Sequence, residues 1–340
     1  MHKEKSFLTY NQQLRKLRNE KNIECEGTKD KTLLVRAGYF NIVNGYKDPF
    51  TCGKDIEENH IYIPGTSLEH LHELKRFDDE LRLFLLKYIT QVEEEVRTIF
   101  GYKFDQCNKG GKVPWYDAKA YSESSRLQNR MNAISSAYSE LSRSQLEYVR
   151  HYMENHSSIP TWIMIKVVNF STFINILQNS KKSVTHSICN LYDMTDEKGL
   201  PNVKLLIGSL HWLRKTRNAC AHNERIFSLK QNEVKNNPNK GRIKEKYIKQ
   251  LRKSYSRESE KRIIDLLVYF KYYLPDNEYK YMMEEIQVKL EKLKDLVQPN
   301  AFDNIRGQMG IKSLEDLEIL KNLPKKTIKY HCFDKENQQK

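Results

Sequence analysis

Arg217-Asn218-Ala219-Cys220-Ala221-His222 places a guanidinium, a carboxamide and an imidazole within six residues. Cleaving a phosphodiester without a metal needs a group that moves protons near neutral pH and a fixed cation that holds phosphate charge. Imidazole, with a reference pKa near 6.5, serves as acid or base. Guanidinium offers a planar fork of donors to the charge that builds at phosphorus. On a ribose chain the 2′-OH would attack the adjacent phosphorus, with His222 moving protons and Arg217 stabilising the added charge. The products would be a 2′,3′-cyclic phosphate and a 5′-hydroxyl. The pair alone is a cheap pattern: with ten histidines in the chain, chance supplies roughly one or two arginines spaced four to six residues before a histidine. Arg150 and His156 form a second such pair, read as noise.

Context singles out the first pair. Val203, Leu206, Leu210 and Leu213 step by three and four, the stripe of an amphipathic helix. Continued, the stripe lands on Arg217 and then Cys220, putting a guanidinium where core is expected. Asn218, His222 and Arg225 are spaced i, i+4, i+7 and would share one face, so Asn218 can hold the imidazole. Arg217 lies five residues before His222, about 140° round the axis. Either the helix ends or distorts here, or a second copy completes the site across a two-fold seam. The alternative for the hexamer is a helix C-terminus whose His and Arg complement the dipole.

The elements around it read as all-α. A helix is expected over 7–22, a break at Gly27 to Lys31, and short helices over 33–46. A loop follows from Lys47 to Gly65, with a candidate strand at Ile61 to Ile63. A long helix over 67–100 carries Leu71, Leu74, Phe77, Leu81, Tyr88, Val92 and Val96 in helical period, and Gly101 is expected to close it. After a loop at 107–114 come two helices within 117–156. Another helix starts at Ser157-Ser158-Ile159-Pro160 and runs to about Leu177, and a further one spans 181–193. The motif helix is expected from about Asn202 to about Ile226, with helices again at 259–273 and 277–296 and a loose tail over 298–340. The expected organisation is an N-terminal helical and aromatic segment over 1–65, a helical domain over 66–297 with a basic insertion at 230–258, and the C-terminal tail.

Charge points to a polyanion. The net charge is +14, and residues 230–262 hold twelve Lys and Arg against four Glu. Nucleic acid is the common partner of such a chain. Arg225, Arg242, Lys244, Lys246, Lys249, Arg252 and Lys253 are the candidate RNA-binding cations, with Tyr247 and Tyr255 interleaved as base-stacking rings. The bland alternative is a solvated lysine-rich insertion. Tyr39, Phe40, Tyr46, Trp162 and Trp212 read as core packing, and His211 as structural. The six cysteines are scattered without a CxxC pair, so no metal, cofactor or disulfide framework is expected, and a reducing cytoplasm fits. No stretch approaches the roughly 18 apolar residues of a membrane span. The opening MHKEKSFLTYNQQLRKL lacks the apolar segment and cleavage site of a secretory signal.

Five pieces in order resemble one family. KSFLTYNQQLRKL, AGYFNIVNGYKDPF with Gly45, Tyr46, Pro49 and Phe50, and the long helix with Phe77, Asp78, Leu81, Arg82, Glu93 and Arg97 come first. Pro160-Thr161-Trp162 and RKTRNACAHNERIF complete the set. Over about residues 5–300 the chain resembles the Abi-like abortive-infection proteins of the AbiD/AbiF type, similar in turn to the HEPN superfamily. The resemblance implies a HEPN-like helical bundle with an N-terminal helical extension and a basic insertion after the motif helix. It implies a bacterial, toxin-like ribonuclease that arrests the host during phage infection, in some members silenced by a small structured RNA. It gives Arg217, Asn218 and His222 the active-site roles, with Glu93 and Arg214 as candidate supporting residues. Glu93 with Arg97 also reads as a plain i,i+4 surface pair. Where the family often has a second histidine and a Leu-Trp pair, this chain has Asn223, Ile226 and Phe227. A non-catalytic RNA-binding module that dimerises through the motif helix stays open as a second reading. A DNA-binding repressor is disfavoured, since no helix-turn-helix signal stands out.

Overall fold

A computed structural model describes residues 7–232, 241–252, 255, 257–328 and 330. Lys253 and Cys332 fall outside the described residues. The fold is all-α with one small hairpin, and its axis is a single 40-residue helix, α3 (Leu68–Cys107), begun by a Ser67 capping box with His70. Two shorter helices, α1 (Tyr10–Lys21) and α2 (Gly27–Ala37), precede it. The break expected at Gly27 is instead the first turn of α2. A π-helical turn at Phe40–Asn44 and a 3-10 turn at Asp48–Phe50 lead into the antiparallel strands Thr51–Lys54 and His60–Tyr62, of which only the second was legible as a strand.

Gly101 does not close α3; the helix runs on to Cys107. A Cβ on Gly101 would sit 2.5 Å from Ile165 Cδ1. The glycine therefore permits close approach of α6 (Thr161–Val167) to α3, which the sequence signal for a helix stop mimics. Between them come α4 (Leu127–Ser142) and α5 (Glu147–Asn155). The single helix expected from Pro160 to Leu177 is two: α6 stops at Val168, and the Asn169 side chain caps α7 (Phe170–Asn179). Helix α8 (Lys182–Leu191) and the motif helix α9 (Val203–Ala221) follow, and α3 packs against α6, α7, α8 and α9.

Beyond α9, α10 (Lys246–Leu251) precedes α11 (Ile263–Tyr273), which is fully buried and apolar apart from Asp265, Lys271 and its tyrosine hydroxyls, and the long α12 (Asp276–Leu296). The described part of the tail carries helices α13 (Pro299–Gln308) and α14 (Glu315–Asn322). Asn304 donates to the Pro49 carbonyl at 2.9 Å, and Thr66 Oγ1 donates to Gln298 Oε1 at 3.0 Å, so the tail closes on the N-terminal segment. One hydrophobic core runs from Leu14 to Leu320. Among the described residues no helix is long and apolar enough to cross a membrane.

Candidate active site

Helix α9 ends five residues earlier than its pattern implied. His222 is the C-cap, its N–H reaching the Asn218 carbonyl at 2.9 Å, and Asn223 takes the left-handed conformation at φ 57°. Glu224 N–H returns to the Ala219 carbonyl at 2.9 Å, closing the helix end. Asparagine is among the few residues other than glycine that tolerate this conformation, which suits Asn223 to the turn. Arg225 consequently leaves the face of Asn218 and His222. Its guanidinium donates to the Gly45 carbonyl and meets Asp48 Oδ2 at 3.2 Å.

The segment after the helix is gripped by a buried carboxylate that sequence reasoning passed over as a site residue. Asp78 on α3 accepts the backbone N–H of Phe227 at 2.8 Å and of Ile226 at 3.2 Å, and the Tyr46 hydroxyl at 2.9 Å. Arg82 lies 3.0 Å from Asp78 and donates to the Glu224 carbonyl at 3.0 Å. Burial raises the Asp78 pKa, and the two amides, Arg82 and Tyr46 oppose that rise. Three separate sequence pieces, Gly45-Tyr46, Asp78 to Arg82 and Glu224 to Phe227, thus converge on one carboxylate. The signal that could have found it was an aspartate on the apolar face of α3.

Arg217 emerges at the edge of the apolar stripe, its side chain 41% exposed, while Leu206, Leu210 and Leu213 are buried. Its Nε lies 3.8 Å from Glu93 Oε2, and its Nη1 lies 3.4 Å from Asn218 Oδ1. Asn218 therefore faces the arginine. Among the described residues no hydrogen bond joins Asn218 to the imidazole of His222, which stands exposed. Glu93 is buried and accepts from Arg97 at 2.7 Å, so the i,i+4 pair is an interior one rather than a surface one. Arg97 lies 4.8 Å from the Phe173 ring and donates to the Ile165 carbonyl, tying α3 to α6 and α7. Burial lowers the Arg97 pKa, the Glu93 carboxylate raises it, and the nearby Arg217 cation adds to the lowering. Arg214 sits beside His211, whose pKa is lowered to about 4 by burial and then by Arg214 and Lys261, so His211 stays neutral at pH 7. Burial pushes the Cys220 thiol up to about 12, which removes it as a nucleophile.

Arg217 also lines a groove of about 860 Å³ between α3 and α6, whose floor includes Gly101 and whose walls include Tyr102, Asp105, Trp162 and Lys166. Trp162, expected in the core, is 56% exposed, whereas Trp212 is buried as expected. Phe40, also expected in the core, is exposed, and Tyr46 is buried.

The basic segment is not the open clamp that its charge suggested. The Arg242 side chain is wholly buried, bidentate on Asp265 at 2.7 Å and 2.8 Å from Glu258. Tyr247 and Tyr255 are buried, and Ile243 packs where a Cβ on Gly208 of α9 would sit. Lys246 pairs with Asp193, Lys249 with Glu197, and Arg252 with Asp316 and Glu315. Arg242, Tyr247 and Tyr255 are thereby structural: desolvation and intramolecular pairing take them from any phosphate or base. Lys244 and Lys249 keep exposed side chains. Among the described residues no group of three His, Cys, Asp or Glu has the arrangement of a metal site.

A protein-family model described as Abi-like protein matches residues 32–228, which spans α2 through the segment held by Asp78. No curated protein and no solved structure matches the chain.

Proposed function

The chain belongs to the Abi-like protein family, and from that premise we propose a metal-independent endoribonuclease of phage defence, toxin-like and of the HEPN type. Membership points to abortive infection. The observation that supports the chemistry is the end of α9, where His222 is the C-cap through its backbone N–H and leaves its imidazole exposed. One turn back, an arginine is steadied by a carboxylate on α3. In the proposed reaction the ribose 2′-oxygen bonds to phosphorus as the P–O5′ bond breaks. His222 takes the 2′-OH proton, and a proton returns to the departing 5′-oxygen. Arg217 carries the excess phosphate charge. Asn218 and Glu93 position Arg217, and Arg214, one turn earlier on α9, is a candidate supporting cation.

His222 and Arg217 point about 140° apart on an ideal helix. Two copies meeting about a two-fold axis at the exposed C-terminal end of α9 would bring two imidazoles and two guanidiniums onto one phosphate, and would supply a separate acid and base. The proposed assembly is therefore a homodimer in the bacterial cytoplasm, with RNA as substrate and a structured RNA as a candidate regulator. The test is incubation of the EDTA-treated protein with RNA. Cyclic phosphate ends are expected from the wild type, and intact RNA from His222→Ala with an unchanged circular dichroism spectrum. Cleavage by His222→Ala at the wild-type rate sinks the assignment.

A second reading is favoured by the lack of any hydrogen bond orienting the His222 ring among the described residues. In it the chain is a non-catalytic RNA-binding module whose α9 is only a dimer seam. Tight, salt-sensitive RNA binding without new ends would support it.

A further inference from the structure

We propose that the groove between α3 and α6 is a nucleobase subsite, in which a guanine of single-stranded RNA stacks on Trp162 while its phosphate lies at Arg217. The inference rests on the ribonuclease reading and adds to it where the substrate is gripped and which base is preferred.

The groove's shape and lining carry the argument. Its volume of about 860 Å³ falls within the roughly 300–1,000 Å³ of small-ligand sites. Trp162 and Tyr102 are both exposed large aromatics, and both line it. An exposed tryptophan costs solvation unless a flat apolar partner covers it, and a base is such a partner, since every base has a π-face. Trp162 is also backed by aromatic neighbours. It stands edge-on to Tyr152 at 5.6 Å, and Tyr152 stacks on His156 at 4.6 Å, so the ring is braced rather than loose.

Polar groups select the occupant. Lys166 and Arg217 bring cations to the groove, while Glu93 is already paired with Arg97 and faced by Arg217. Glu94 and Asp105 are the remaining carboxylates on its walls. Asp105 Oδ1 accepts the Thr161 hydroxyl at 2.6 Å, which fixes the carboxylate at the start of α6 and leaves acceptor sites unused. A fixed carboxylate accepts only. Guanine presents two neighbouring N–H donors, N1–H and N2–H, and is the base best matched to it. Uracil offers a single N–H flanked by two carbonyls, which a carboxylate repels. Gly101 holds the two sides of the groove together, since a Cβ there would meet Ile165 Cδ1 and push α6 away from α3.

Fluorescence tests this directly, because the other two tryptophans, Trp115 and Trp212, are buried at 1% and 0% exposure. The full-length His222→Ala protein is titrated with guanosine 5′-monophosphate, uridine 5′-monophosphate, and guanine-rich or uridine-rich single-stranded oligoribonucleotides. Saturable quenching is expected with the guanine ligands, at least tenfold tighter than with the uridine ones. By isothermal titration calorimetry, which needs no tryptophan reporter, Trp162→Ala in the same background should bind about tenfold or more weakly, the scale of one base–aromatic stack, and Trp162→Phe should recover most of the loss. Asp105→Asn should erase the guanine preference while quenching persists. No quenching by any ligand overturns the subsite, and equal affinity for guanine and uridine overturns the role of Asp105. The two readings fail separately. Unchanged cleavage by His222→Ala with intact quenching removes the catalytic assignment alone. Abolished cleavage in that variant, with wild-type affinity in Trp162→Ala, removes the subsite alone.

Discussion

Glu93 Oε2 and Arg217 Nε are 3.8 Å apart, and the other oxygen of the same carboxylate holds Arg97 at 2.7 Å. One carboxylate on the central helix therefore serves a buried cation and a half-exposed one. The two halves differ in energy. The Arg97 pair is sealed between α3, α6 and α7, whereas the Arg217 contact is long and open to water.

Glu93→Ala is expected to destabilise the fold by about 3–5 kcal/mol, because it strands a buried guanidinium. Arg217→Ala removes only a partly exposed contact and is expected to cost no more than about 1 kcal/mol. Urea midpoints at pH 7 measure both. Both variants should lose RNA cleavage, so loss of activity without loss of stability identifies Arg217 as the functional partner. If Arg217→Ala unfolds as readily as Glu93→Ala, the division of labour is wrong.

Asp78 is expected to hold the chain that follows His222. Asp78→Ala leaves two buried amides and Arg82 without their acceptor, a loss of about 3–5 kcal/mol. Hydrogen exchange gives the local readout: the amides of Ile226 and Phe227 should exchange faster than those of α11 in a milder variant, Tyr46→Phe, which removes one donor only. Unchanged exchange at 226 and 227 in Tyr46→Phe would place the restraint elsewhere.

The basic segment divides into fixed and free cations. Arg242→Ala is expected to destabilise by about 3–5 kcal/mol, leaving Asp265 buried and unpaired. Lys244→Ala is expected to leave stability unchanged, weaken RNA binding and reduce the salt slope of that binding by about 1. A Lys244→Ala slope identical to the wild type would mean that this segment does not touch phosphate.

Burial raises the Glu245 pKa to about 7 from an ordinary 4.5, although the Tyr272 hydroxyl and the amides of Tyr247 and Ile248 donate to it. Between those values the folded state binds more protons than the unfolded chain. This group's contribution therefore falls as pH rises through the window, by about 3 kcal/mol at most. Glu245→Gln should flatten the change in urea midpoint between pH 5 and pH 8, relative to the wild type. Parallel profiles for the two proteins would refute the assignment.

The helical class, the start of α3 and the motif helix were legible because each rests on local signals: a capping serine, an apolar stripe, a loop before and after. Gly101 was misread because a glycine that ends a helix and a glycine that admits a neighbour look the same without the neighbour. The early end of α9 depends on Asn223 adopting a left-handed turn, a choice enforced by Asp78 more than a hundred residues away. The cations of the basic segment were read as free because Asp193, Asp265 and Asp316 lie far along the chain, and nothing local announces them. Trp162 was assigned to the core on residue type alone. Its neighbours Thr161, Ile163, Met164 and Ile165 take the buried side of α6, which leaves Trp162 on the outward one. Arg217 and His222 were legible as a pair, and Glu93 as a supporting residue through the family resemblance alone; its place beside Arg217 is set by the packing of α3 on α9.

Asp78 grips the strand-like exit from α9 by main-chain amides rather than by side chains. Amides are supplied by every residue type save one, so the restraint is indifferent to the identities at 226 and 227. Those two sites can be rewritten with any residue that fits the surrounding apolar space, and the position of His222 would be preserved. Proline alone is barred, because it brings no N–H. The fold thus separates what must be fixed, a carboxylate and two hydrogen atoms, from what is free to vary, the side chains of Ile226 and Phe227.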